Sequence, residues 1–180
     1  ISDRKGFGVV ATRLLPAGAI VWVRDPPDQA IPREWADTLD PLFHPTLRTY
    51  CFWEADGELI LCWDHGRLVN HSCDANCLGG GFTFEIAVRD IAEGEELTDD
   101  YGTFGFAEDI ECACGSPLCR GRLRSTDRSR LAPAWDARPL AALTRLPAVS
   151  QPLWPLVFEK DRIERVLSEP ETLPGHLRYA

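Results

Sequence analysis

Three cysteines within eight residues, Cys112-x-Cys114-x4-Cys119 with Gly115 and Pro117 between them, constrain this chain more than any other stretch. Three thiols so close in a glycine-bearing loop suit a tetrahedral zinc, whose Zn–S bonds run about 2.3 Å and whose fourth position must be filled from elsewhere. Cys51, Cys62, Cys73 and Cys77 are the remaining cysteines, and spacing alone does not choose among them. Seven cysteines cannot all be paired as disulfides, whereas a metal site with spare thiols can use an odd number. This points to a reducing, intracellular compartment: the cytoplasm for a bacterial protein, the nucleus for a eukaryotic one.

The rest of the composition is that of an ordinary soluble globular chain. Of 180 residues, 44% are hydrophobic and 26% charged, enough for one domain with a core plus a small appendage. No apolar run approaches the roughly 20 residues a membrane helix needs, so no membrane partner is expected. The net charge of -9 repels phosphate, which argues against direct nucleic-acid binding and favours a basic partner. The chain opens on Ile1 and contains no methionine, which suggests a missing upstream segment, so the lack of a leader carries no weight. Oligomeric state is not legible.

Glycines and prolines break residues 1–24 into short β segments. "PREWADTL" reads as a short helix opened by Pro32, and "TYCFWEADGELILCWD" as a β-hairpin turning at Asp56-Gly57. "FTFEIAVRDI" is a further strand, and Glu93-Gly94 turns the chain into "EELTDDYG". Residues 125–150 show no clear period and read as a loosely specified extension. Residues 158–167, "FEKDRIERVL", form an amphipathic helix that Pro170 ends.

Two segments besides the cysteines carry polar groups suited to chemistry: "NHSCDAN" at 70–76 and "GEELTDDYG" at 94–102. Each alone has a bland reading, since Asn, Ser and Asp are turn formers and a single tyrosine is commonly a core residue with a bonded hydroxyl. Together with "KGFG" at 5–8 and "CACGSPLC" at 112–119, they resemble the SET-domain family of protein lysine methyltransferases. The four motifs stand in that family's order, and the resemblance covers roughly residues 1–124.

The resemblance implies a mostly β, α+β fold of several short sheets with a pseudoknot, not a Rossmann fold. It implies a SET domain over 1–106, a zinc-binding post-SET module over 107–124, and a C-terminal extension of unknown role over 125–180. It implies methyl transfer from S-adenosylmethionine to the side-chain amine of lysine in a protein substrate. A non-catalytic SET-like module that binds cofactor or peptide is the alternative. Tyr101 matches the catalytic tyrosine. Lys5, Gly6, Phe7, Gly8, Tyr50, Asn70, His71 and Leu123 match positions that hold the cofactor, while Phe52, Asp99, Phe104 and Phe106 fall along the substrate channel. Cys73 matches the fourth ligand of a structural zinc that Cys112, Cys114 and Cys119 complete, and no catalytic metal is implied.

This sequence departs from the family twice. Ala75 replaces a customary proline. Asp99 stands two residues before Tyr101, where the family usually has Phe or Tyr and where the number of methyl groups added is set; a carboxylate there can hold water or an ammonium.

Overall fold

A computed structural model describes residues 6–54, 57–106 and 108–176. Four small sheets make up the β portion. β1 (Ile20–Val23), β7 (Phe84–Ala87) and β6 (Cys77–Leu78) form one antiparallel sheet in the order β1-β7-β6. β2 (Gln29–Ile31), β4 (Leu59–Leu61) and β3 (Cys51–Trp53) form a second, in the order β2-β4-β3. β5 (Asn70–His71) runs parallel to β8 (Thr98–Asp99), and β9 (Ile110–Glu111) pairs with β10 (Arg122–Leu123).

The strands are short because glycines and prolines interrupt them, and β-branched or aromatic residues occupy most of their buried positions. The expected hairpin is present: Cys51 faces Leu61, Phe52 faces Ile60 and Trp53 faces Leu59. Of its expected turn, Asp56 lies outside the described residues, and Gly57 adopts φ +87°. Tyr50 is not part of that strand. It closes the short helix α2 (His44–Tyr50), which follows α1 (Arg33–Ala36).

The extension after residue 124 is the main departure from expectation. It is not loosely specified. α3 (Asp127–Leu143) runs 17 residues with Pro133 and Pro139 inside it, and α4 (Lys160–Ser168) falls where the amphipathic pattern placed a helix. Each interior proline removes a backbone hydrogen bond and costs about 3 kcal/mol, so local propensity alone would not sustain α3. Burial does: Ala132, Trp135, Pro139, Ala142 and Leu143 are all shielded from solvent.

These residues complete the principal core. Ile20, Val23, Phe82, Phe84 and Ile86 pack with Ala142, Leu143, Leu146, Val157, Ile163 and Val166 in one cluster. The extension therefore shares its interior with the sheet β1-β7-β6 and is part of the same folded body. Among the described residues, no helix is long and apolar enough to cross a membrane.

Candidate active site and zinc centre

β5 and β8 bring the two polar motifs together. Asn70 is opposite Thr98 and His71 opposite Asp99, and Ser72 N donates to Asp99 O at 2.9 Å. Asn76 strengthens the junction from the far end of its motif. It is 1% exposed, accepts from Thr98 N and donates to Glu96 O, each at 2.8 Å. A buried amide satisfied on both sides in this way fixes register as well as contributing energy.

The glycine turn joins the same junction. Asn70 Nδ2 donates to Phe7 O and to Glu96 Oε1, both at 2.8 Å. A side chain at Gly8 would meet Glu96 Oε1 at 2.6 Å and Asn70 Nδ2 at 3.0 Å, so only glycine lets the turn lie this close. Gly6 and Gly8 are exposed, and Phe7 presents its ring to solvent beside Asn70. Exposed backbone and an uncovered aromatic ring next to a held amide suit a nucleoside-bearing ligand such as S-adenosylmethionine. Lys5 lies outside the described residues. Leu123, paired with Ile110 across β10 and β9, is only 1% exposed.

Tyr101 follows β8 and is anchored at both ends. Its backbone N–H donates to His71 Nδ1 at 3.1 Å, and its hydroxyl donates to Val69 O at 2.7 Å. Burial and the neighbouring charges of Asp99 and Glu96 push its phenol up to about 12, so it stays protonated. The Tyr101 ring borders a cavity of about 790 Å³ lined also by Trp22, Tyr50, Phe52, Asp99, Phe104 and Phe106. Ring centroids stand 6.0 Å apart for Trp22–Phe52, 5.1 Å for Phe52–Phe104 and 6.2 Å for Tyr101–Phe104. Gly6, Phe7, Gly8, Asn70 and His71 are not among the residues that line this cavity, although their neighbours Val9 and Val69 are.

Asp100 ties the loop that carries Tyr101 to the rest of the chain. The Arg120 guanidinium grips its carboxylate through both terminal nitrogens at 2.6 Å, and Trp135 Nε1 of α3 donates to Oδ2 at 3.0 Å. A side chain on Gly102 would meet the Trp135 ring at 3.0 Å and Arg120 at 3.1 Å. Glycine after Tyr101 is what admits the helix.

The thiols assemble as a tetrahedral ion would require. Cys73 Sγ is 3.7 Å from Cys112 Sγ, and Cys119 Sγ is 3.6 Å from it. These separations are far too long for a disulfide, and sulfurs bound tetrahedrally at about 2.3 Å stand about 3.8 Å apart. Cys114 belongs to the same group, its sulfur within 4.8 Å of those of Cys73 and Cys112. Burial opposes ionisation of Cys114, but N–H donors of Cys73 and Ser116 and the adjacent thiols outweigh it, lowering the thiol to about 7. Residues and spacing thus fit zinc. His71 Nε2 also comes within 3.3 Å of Cys73 Sγ. Because Nδ1 already accepts from Tyr101, the neutral ring carries its proton on Nε2, aimed at the sulfur as an outer-shell donor. Cys62 lies elsewhere, beside Asp28 and Asp64.

Among the lining residues that were not foreseen are Trp22 and Glu85. In "FTFEIAV", Glu85 alternates with buried Phe84 and Ile86, which normally marks a solvent-facing position. Here that face is turned to the cavity. The only available signal was an acid in the middle of an otherwise apolar strand.

Residues 6–102 match the SET domain. The chain belongs to the SET-domain family. Relatives with that domain include the histone-lysine N-methyltransferase ATX2 of Arabidopsis thaliana, 32% identical over 136 residues, covering 68% of this chain and 12% of that protein. An H3 lysine-4 specific histone-lysine N-methyltransferase of Schizosaccharomyces pombe is 45% identical over 64 residues, 32% of this chain and 7% of that protein. The ash1 histone-lysine N-methyltransferase of Drosophila melanogaster is 30% identical over 149 residues, 75% and 7% respectively. This SET-domain chain thus spans only about a tenth of the length of these relatives.

Proposed function

We propose that this chain is the catalytic portion of a protein lysine methyltransferase that uses S-adenosylmethionine. The observation that carries the reading is the β5-β8 ladder. It brings Asn70, which holds the glycine turn, beside the strand that leads into Tyr101, a residue bordering the aromatic cavity. Cofactor and lysine would then meet beside Tyr101.

Gly6, Phe7, Gly8, Tyr50, Asn70, His71 and Leu123 would hold the cofactor, which supplies an electrophilic methyl on a sulfonium. Phe52, Phe104 and Phe106 would wall the lysine side chain, with Asp99 at its end. Desolvation between those rings favours the neutral amine, and confinement supplies alignment, worth orders of magnitude in rate by itself. The Tyr101 hydroxyl, held by Val69 O, orients the reacting groups. Cys73, Cys112, Cys114 and Cys119 would hold a structural zinc as a post-SET module over 107–124, consistent with a reducing compartment. Glu54, Asp64, Glu108 and Asp109 along the cavity suit a basic peptide, and the relatives' names make a histone tail the first substrate to try.

The test is methyl transfer from labelled S-adenosylmethionine to mixed core histones, with the modified side chain identified by mass spectrometry. Tyr101→Phe is expected to lower turnover by about 100-fold or more while cofactor still binds. Transfer undiminished in that variant would contradict the role of Tyr101. Cofactor binding without transfer in the unmodified protein would favour a non-catalytic module instead.

A further inference from the structure

Asp99 does not stand alone at the end of the aromatic cavity. Its carboxyl and that of Glu85 are within hydrogen-bonding reach of each other, and both line the cavity beside Tyr101, Phe104 and Trp22. Trp22 is the cross-strand partner of Glu85. Glu85 Oε2 is sealed from solvent and receives no N–H or O–H that the fold fixes. Two carboxyls can satisfy one another only by sharing a proton, so the pair rests with one proton and a single negative charge.

The surroundings do not neutralise that charge. The charged groups acting on the pair are themselves acids: Asp100, next in the chain, and Glu54 from the end of β3. Glu54 in turn has Arg24 at 3.6 Å. The other titratable groups packed against the pair are the Cys77 thiol on β6, which burial keeps protonated, and the Tyr101 phenol. Tyr101 is a poor base, since its proton is committed to Val69 O. Arg48, His65, Arg67 and His176 also line the cavity, while the rings of Trp22, Phe52, Tyr101 and Phe104 border the space the substrate amine would enter.

We propose that Glu85 and Asp99 act together as the proton acceptor for the substrate ammonium, an inference that rests on the methyltransferase reading above. One N–H bond of the ammonium breaks, its electron pair stays on nitrogen, and the proton goes to a carboxylate oxygen. The pair passes from one shared proton and charge -1 to two protons and no charge, and the amine becomes a neutral nucleophile. The extra proton returns to solvent before the next amine binds. Burial first, then the neighbouring Asp100 charge, raises Asp99 to about 7 against the lowering effect of the Asp100 N–H. That places the acceptor near neutral pH, where general bases work best.

The experiment measures kcat/KM for methyl transfer to mixed core histones from about pH 5 to about pH 9. The unmodified chain, Glu85→Gln and Asp99→Asn are compared, and cofactor affinity is measured by calorimetry in parallel. A pair that accepts the proton takes in the ammonium form, so the rate rises to about pH 7 and then levels. An enzyme that must await a neutral lysine from solvent gains about tenfold per pH unit up to the lysine pKa. Glu85→Gln and Asp99→Asn are each expected to lose about 100-fold or more and to convert the plateau into that steady rise. A steady rise in the unmodified chain, or variants that bind cofactor and keep its plateau and rate, would overturn the proposal. Should a variant fail to bind cofactor, the shape of the unmodified profile decides. No transfer at any pH would instead remove the methyltransferase reading itself.

Discussion

Replacing Arg120 by methionine isolates the link between the thiol loop, the Tyr101 loop and α3. The Arg120 side chain is 14% exposed and that of Asp100 only 2%, so solvent does little to screen the pair. Methionine keeps most of the stem and its packing while deleting both bonds to the carboxylate. Asp100 would retain Trp135 Nε1 at 3.0 Å and Gly102 N at 3.0 Å, which satisfy hydrogen bonding but supply no positive charge. Stranding a buried charge in this way costs about 3–5 kcal/mol. For a chain of this length that corresponds to a fall in Tm of roughly 6–20 °C. Arg122→Met is the internal control, because the Arg122–Glu111 pair is open to water at 48% and 87% exposure. Its loss should change stability by no more than about 0.5 kcal/mol. Thermal melts followed by near-UV circular dichroism compare the two variants under identical salt. If both melt together, the idea that Asp100 is held by a buried charge pair is wrong.

Two further outcomes follow from the site. Purified protein is expected to carry about one zinc per chain. A strong chelator should remove it and raise hydrogen exchange in residues 112–123, with Cys73→Ser having the same effect; a metal content unaffected by Cys73→Ser would exclude that thiol as a ligand. The raised carboxyl of Asp99 also makes stability depend on pH. The fold binds a proton on Asp99 that the unfolded chain has released above about pH 4, so the Asp99 contribution to stability falls as pH rises from there to about 7 and then levels. Asp99→Asn should flatten that slope in urea titrations, and an unchanged slope would show that Asp99 does not carry it.

Much of the site was readable because its residues sit in contiguous motifs whose roles depend on local backbone. "NHSCDAN" and "GEELTDDYG" meet as expected through β5 and β8, Cys73 joins the thiol loop, and the hairpin and α4 fall where alternation and periodicity placed them. α3 was hidden for a physical reason. Its buried face is built of Ala132, Trp135, Pro139, Ala142 and Leu143, so alanines and a proline stand at most positions where a pattern search expects leucine or isoleucine, and its stability comes from docking. Tyr50 ends a helix rather than beginning a strand because the turn of α2 continues through "TY" up to Cys51. Glu85 escaped because strand alternation tells inside from outside, not solvent from cavity.

The sharing of one interior by β7 and the helices beyond residue 124 separates two boundaries that are easily conflated. The match to the SET-domain model stops at Gly102, short of the helices that shield Phe84 and Ile86 from water. A fragment trimmed to the familiar motifs would leave that sheet bare on one side. It would also strip the indole that leans on Gly102, so truncation should impair the chemistry along with the solubility.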